Sequence, residues 1–113
     1  MRSSPGATRA IFVACALALG AAASQAAGPA TRTVTIDAFE FHPPSITVRQ
    51  GDTVLWRNQD PVPHTATATT KDAGLDSRDI APNGSFRYTA KKKGHFSYIC
   101  SLHPVMKGEL IVE

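Results

Sequence analysis

Cysteine is scarce in this chain: its 113 residues include only Cys15 and Cys100. Cys15 lies in the apolar core of an N-terminal segment with Arg2 and Arg9 in its positive region and small residues up to Ala26, a pattern typical of an export signal. If cleavage follows Ala26, the exported chain keeps Cys100 alone. We then expect no disulfide, and a free thiol in an oxidising compartment is a liability unless a metal occupies it.

Long apolar runs and a strong charge imbalance are also missing. The apolar core of residues 11–19 is far shorter than the roughly 20 residues that span a bilayer, so we predict a signal peptide over 1–26 and no membrane span. Of 12 Lys+Arg, two lie in the signal, which leaves 10 against 9 Asp+Glu and no indication of a nucleic-acid partner. The remainder fits one small domain at 33–113, after a flexible leader at 27–32.

No segment shows the apolar period of an amphipathic helix. Short alternating segments rich in β-branched residues are instead separated by Gly and Pro, which is typical of strands. Residues 71–82 have no period and are predicted to be a loop with at most a helical turn. The pattern predicts an all-β fold, a Greek-key sandwich or barrel of about seven to eight strands. The predicted strands are 33–39, 46–48, 53–57, 64–70, 85–89, 95–100 and 107–113.

One motif near the C-terminus places three metal-binding side chains close together. Cys100, His103 and Met106 follow one another at intervals of three residues. Pro104 and the nearby Gly108 disfavour a helix, so the segment is predicted to be a tight loop between two strands. Thiolate and thioether donors are soft and select copper, whereas methionine is a poor zinc ligand.

A second imidazole is needed to complete a copper site, and His64 in the segment Pro-Val-Pro-His-Thr is the candidate. Two histidines, one cysteine and a weak axial methionine are the ligands of a blue-copper electron-transfer site. We interpret the other two histidines as non-ligands. His42 precedes two prolines at a strand end, and His95 lies on the strand face opposite to Cys100.

Strand alternation also predicts the surroundings of the site. Phe96 and Tyr98 lie on the same face of their strand as Cys100 and are expected to fill the core below the metal, with Trp56 packing from the other sheet.

The surface near the two predicted histidine ligands is expected to be apolar. The lysine run 91–93 lies six strand residues from Cys100, or roughly 20 Å, and is predicted to be a solvated turn at the opposite end. We expect a redox partner to contact an apolar collar beside the histidines, formed by Pro61, Val62, Pro104 and Val105.

These segments together resemble the cupredoxins, the small blue-copper proteins, and most closely amicyanin-like members with the same C-x2-H-x2-M loop. The likeness is carried by residues 51–58, 63–64, 94–100 and 106–108 and extends from 36 to 113. It implies a cupredoxin fold with one type 1 copper ion held by His64, Cys100, His103 and Met106. In these proteins the residue after the upstream histidine is often an Asn that ties the two ligand loops together. Here it is Thr65, whose shorter hydroxyl offers a similar bond to the backbone near Ser101.

The function implied is a periplasmic carrier of single electrons that cycles between Cu(I) and Cu(II), not an enzyme. Its expected partners are redox proteins, either cytochrome c-like or a dehydrogenase or oxidase, and the chain is expected to be a monomer. A copper-trafficking module that holds Cu(I) for delivery or detoxification would use the same ligands and stays open as an alternative. A hydrolase using Cys100 is disfavoured, because no third group to orient a histidine base is evident.

Overall fold

The computed structural model describes residues 2–6, 10, 11, 13, 14 and 28–113. Most of the predicted signal peptide over 1–26, with Cys15 and the predicted cleavage point at Ala26, lies outside the described residues. In the part of the chain that is described, no helix has the length and apolar character needed to cross a membrane.

In the described residues, eight strands form two four-stranded sheets, which confirms the predicted all-β, cupredoxin-like fold. The strands are β1 Thr31–Asp37, β2 Glu40–His42, β3 Ser45–Val48, β4 Thr53–Asn58, β5 Thr67–Ala68, β6 Ser85–Thr89, β7 Gly94–Cys100 and β8 His103–Val112. One sheet has the order β2-β1-β4-β6 and the other β3-β8-β7-β5. A 3-10 turn covers Lys71–Ala73, inside the predicted loop.

The core lies between the two sheets and forms because alternate side chains of each strand face inward. In β7, Phe96, Tyr98 and Cys100 are buried, as predicted, while His95 is exposed on the other face. Trp56 of β4 meets Tyr98 from the opposite sheet, with ring centroids 5.4 Å apart and planes at 88°. Such perpendicular aromatic pairs add to the stabilisation from apolar burial.

The first strand begins earlier than the sequence predicts. Thr31 and Arg32, which we assigned to the flexible leader over 27–32, pair in parallel with the first two residues of β4. Ala30 is also held, because its N–H donates to a carboxylate oxygen of Asp52 at 2.8 Å. The first three residues of β1 are exposed, so they lack the apolar alternation by which a strand is recognised.

The predicted strand over 64–70 is much shorter in the structure, and β2 was not predicted. Only Thr67 and Ala68 form the two-residue edge strand β5, beside β7. His64 instead bridges to Ile80 in the long loop before β6. The backbone here bonds to that loop, since the Ala66 carbonyl accepts the Ser77 N–H at 3.0 Å and the Ala68 N–H donates to the Leu75 carbonyl at 2.9 Å. β2 is three residues long, too short to show a period.

Gly108 is required by the close approach of Tyr98, its partner in the β7–β8 ladder. A Cβ at this position would overlap the ring and hydroxyl of Tyr98. We expect Gly108→Ala to lower the free energy of unfolding by about 1–3 kcal/mol, because Tyr98 must leave its place in the core. Urea unfolding measures the change. Gly28→Ala, where a Cβ meets no atom within 4 Å, is the control, and equal midpoints for both variants would contradict this packing.

Candidate metal centre

Three of the predicted metal-binding side chains meet at one end of the sandwich. Cys100 is the last residue of β7, His103 is the first of β8, and His64 comes from the loop after β4. Their donor atoms all lie within 4.8 Å of one another. The Sγ atom of Cys100 is 3.6 Å from Nδ1 of His64 and 3.8 Å from Nδ1 of His103.

These separations suit a shared metal ion. With metal–donor bonds of about 2.0 Å to nitrogen and 2.3 Å to sulfur, a trigonal arrangement places sulfur and nitrogen about 3.7 Å apart. His64 and Cys100 are completely buried, whereas His103 is partly exposed. The donor set therefore fits one copper ion that is shielded from water on the His64 side and reached from outside at His103.

Met106 reaches this end of the molecule through a bulge in β8. Cys100 pairs with His103, but the preceding Ile99 pairs with Lys107, so residues 104–106 have no partners in β7. The strand thus begins at His103 and not at 107, and the predicted loop is a turn at 101–102 followed by this bulge. A proline at 104 suits a bulge because it has no N–H to donate. Met106 is buried, with 2% of its surface exposed.

Thr65 connects the His64 loop with the Cys100 hairpin. Its hydroxyl oxygen accepts the backbone N–H of Ser101 at 2.8 Å, which confirms the bond expected near Ser101. Its own backbone N–H points at the Sγ atom of Cys100, 3.3 Å away. Hydrogen bonds of this kind orient a ligand and tune the electron density on sulfur. The threonine thus joins the two ligand-bearing segments despite its short side chain.

Asp60, which was not predicted from the sequence, lies behind His64. Its Oδ2 atom lies 2.8 Å from Nε2 of His64, and only 5% of the residue is exposed. A carboxylate accepts hydrogen bonds, so the His64 proton lies on Nε2 and the Nδ1 lone pair faces Cys100. A carboxylate behind a metal-binding histidine is a common arrangement. The available signal was an acidic residue four positions before His64 in a proline-rich loop.

The charge on Asp60 is stabilised by its hydrogen bonds. Burial alone raises the pKa of this carboxyl, but bonds from the Phe39 N–H, from His64 and from the Ala38 N–H lower it by more. The net pKa lies below its ordinary value, so Asp60 is ionised at neutral pH. A buried negative charge beside Nε2 makes the imidazole of His64 a stronger donor at Nδ1.

Asn58 holds the loop that carries Asp60 and His64. Its side-chain carbonyl accepts the Asp60 N–H at 2.9 Å, and its amide donates to the carbonyls of Val62 at 2.8 Å and Ile80 at 2.9 Å. The residue is 1% exposed, so these bonds form out of water. The last residue of β4 thereby fixes the path of the chain to His64.

Phe39 is the second residue that the sequence analysis missed. Its ring centroid lies 5.1 Å from that of His64 and 5.1 Å from that of His103, and the planes are close to perpendicular in both pairs. Phe39 belongs to the two-residue turn between β1 and β2, because Asp37 pairs with Glu40. Its place beside the metal ligands depends on this turn.

The other two histidines lie apart from the donor cluster. His42 is exposed in β2, with Nε2 near the carbonyl of Asp37 at 3.1 Å, and His95 is exposed in β7. Among the described residues, the cluster of side chains suited to bind a metal is His64, Cys100 and His103, and it includes neither His42 nor His95.

The surface around His103 is largely apolar. In the apolar collar, Val105 is 88% exposed, Pro61 and Pro104 are exposed, and Val62 is half-buried. Leu102 and Phe39, at 49% and 45% exposed, are two further exposed apolar residues of the same end that were not predicted. Lys91–Lys93 are exposed and precede β7, whose last residue is Cys100, in keeping with the predicted turn at the opposite end.

A family model described as a cupredoxin-like domain matches residues 9–112. The chain belongs to this family. Its fold and its cofactor, one type 1 copper ion, agree with the expectation from the sequence, and its donor cluster is of the blue-copper type. In this cupredoxin the copper-binding end of the sandwich is the one that carries His64, Cys100 and His103.

Individual relatives are similar over most of the chain. Amicyanin-alpha of Methylorubrum extorquens is 29% identical over 102 residues, which cover 87% of this chain and 86% of that protein. Amicyanin of Paracoccus versutus is 29% identical over 83 residues, 71% of this chain and 63% of that protein. The methylamine utilization protein MauL of Methylophilus methylotrophus is 28% identical over 106 residues, 89% of this chain and 61% of that protein.

Solved structures show the same fold. An amicyanin point mutant in the Cu(I) form superimposes with a TM-score of 0.68 and 26% identity, covering 80% of this chain and 88% of that chain. A copper-containing nitrite reductase from Thermus scotoductus gives a TM-score of 0.69 and 27% identity over 82% of this chain but only 24% of that chain. The likeness to the reductase therefore covers a domain-sized part of that enzyme.

Proposed function

We propose that this cupredoxin is a periplasmic electron carrier that binds copper through His64, Cys100, His103 and Met106. The observation that carries the proposal is the single thiol with two imidazole Nδ1 atoms at 3.6 and 3.8 Å. A bound copper ion supplies a one-electron change between Cu(I) and Cu(II) in such a site. The amicyanin relatives and the export signal predicted over 1–26 support the carrier role and the compartment.

The protein's own part is to keep the ligands still while the electron arrives and leaves. Asp60 fixes the orientation of His64, and Thr65 ties the loop of His64 to the turn that follows Cys100. Buried ligands held by such bonds change little in position, which lowers the rearrangement that accompanies each transfer. His103 is the ligand nearest to solvent and is the proposed point of electron entry and exit.

The proposed partners are redox proteins, with a dehydrogenase or oxidase on one side and a cytochrome c-like protein on the other. One relative is named a methylamine utilization protein, which supports a place in the oxidation of a small amine. The apolar collar beside His103 offers a surface that loses water readily in a transient complex. We propose no catalytic step in this chain, which we expect to act as a monomer.

Copper trafficking is the alternative function, and the behaviour of the reduced protein separates the two. We expect the copper-loaded protein to pass through repeated cycles of reduction by ascorbate and oxidation by cytochrome c with its copper retained. The assay includes a Cu(I) chelator such as bathocuproine disulfonate in slight excess. Rapid transfer of stoichiometric copper to the chelator during the first reduction would support delivery of Cu(I) and contradict the carrier.

A further inference from the structure

Phe39 packs its ring against both histidines of the candidate copper site. The three ring centroids of Phe39, His64 and His103 form a triangle in which every side measures 5.1 Å. Phe39 is 45% exposed, whereas His64 has no exposed surface. The phenyl ring therefore packs against both imidazoles on one side and faces water on the other, while His103 keeps an exposed part of its own.

The backbone at Phe39 adopts a conformation that bulky residues rarely take. Ala38 and Phe39 have φ angles of 50° and 57°, both in the left-handed region. A two-residue turn of this kind favours Asn-Gly, and a phenylalanine there is a genuine outlier. Strained residues persist where the surrounding structure holds them, and they cluster at functional sites.

Asp60 is the residue that holds this turn. Its Oδ1 atom accepts the Ala38 N–H at 2.8 Å, and its Oδ2 atom accepts the Phe39 N–H at 2.9 Å. The same Oδ2 atom accepts the Nε2–H of His64. One buried carboxylate thus fixes a proposed copper ligand and the aromatic residue that covers it.

We propose that Phe39 is a positioning residue for electron transfer: clamped by Asp60, its ring keeps water away from His64 and from the side of His103 that it covers. This inference rests on the proposed copper carrier function. Water near the site favours the oxidised form, which carries one more positive charge, and must reorient with each transferred electron. The ring of Phe39 therefore raises the reduction potential and lowers the barrier to electron exchange.

Substitution of Phe39 in the copper-loaded protein tests the proposal. We expect Phe39→Ala to keep the blue colour, to have a lower reduction potential, and to exchange electrons between oxidised and reduced copies about tenfold more slowly, a barrier increase of about 1.4 kcal/mol. Phe39→Tyr keeps the ring and should restore both values. Leu102→Ala is the matched control for the potential, because Leu102 has a similar exposure of 49% but no ring against the imidazoles.

A second measurement uses the metal-free protein and does not depend on its redox function. The phenyl ring should shift the imidazole C–H proton signals of His64 and His103, so Phe39→Ala should move both signals while that of the distant His95 stays. A blue Phe39→Ala protein with wild-type potential and exchange rate would overturn the proposal, as would unmoved imidazole signals. If the wild type itself forms no blue copper complex, the proposed carrier function is wrong. The imidazole proton signals of the metal-free protein still test whether Phe39 packs against the two histidines.

Discussion

Cys100→Ser is expected to abolish the intense visible absorption of the copper-loaded protein. The colour of a blue-copper site depends on the bond between copper and a thiolate, and Cys100 is the single thiol of the donor cluster. A serine hydroxyl is neither soft nor ionised at neutral pH, so Cu(I) in particular should be held much less tightly. Visible absorption and copper content after gel filtration measure the two effects.

Met106→Leu is the matched control for this prediction. A weak axial thioether adds little to the colour but favours the oxidised state, so its loss should leave a blue protein with a higher potential. Because Cys100 is completely buried, urea unfolding of the metal-free Cys100→Ser protein checks that the fold survives. A Cys100→Ser protein that is still intensely blue would contradict the role of the thiolate. A colourless Met106→Leu protein would contradict a weak axial role for Met106.

Asp60→Asn is expected to weaken copper binding by roughly 10–100-fold, the usual cost of losing the partner behind a metal-binding histidine. The amide cannot accept at both oxygen positions, so its NH2 group faces either the Ala38 N–H or both the Phe39 N–H and the His64 Nε2–H. In both cases His64 loses the negative charge behind it, and in the second case it also loses the hydrogen bond that fixes its orientation. Competition with a chelator of known affinity measures the loss. Asp79→Asn, an exposed acid beside Ile80, is the control and should bind copper like the wild type.

The same substitution removes an acid-sensitive contribution to folding. The folded-state pKa of Asp60 is lowered, so its ionised form stabilises the protein above the ordinary carboxyl pKa of about 3.9. This contribution is lost as the pH falls from that value through the folded pKa. Metal-free wild type should therefore lose more stability than Asp60→Asn between neutral pH and about pH 3. Parallel losses in the two proteins would contradict a stabilising charge at Asp60.

The hairpin that carries the proposed ligands was predictable because its information is local. Cys100 and His103 are three residues apart, and any turn between two strands keeps them together. The strand face of Cys100 also follows from alternation, which correctly placed Phe96 and Tyr98 in the core. The start of β8 at His103 could not be predicted from the sequence. A bulge adds residues to one strand, and the composition of residues 103–106 still indicates a loop.

Residues brought to the site by distant segments were harder to predict. Asp60 and Phe39 meet only because a turn with two left-handed residues is held by a carboxylate 21 positions later in the chain. The sequence Ala-Phe has no Asn or Gly to indicate such a turn. Thr65 was the exception, since the resemblance to cupredoxins drew attention to the residue after His64.

The visible spectrum recorded while Cu(II) is added to the purified chain without its predicted signal tests the central claim most directly. We predict an intense blue thiolate-to-copper band that saturates at one copper ion per chain, disappears on reduction and returns on oxidation. A colourless or faintly coloured Cu(II) complex, or a band that does not return after a redox cycle, would contradict the assignment of His64, Cys100, His103 and Met106 as a type 1 copper site.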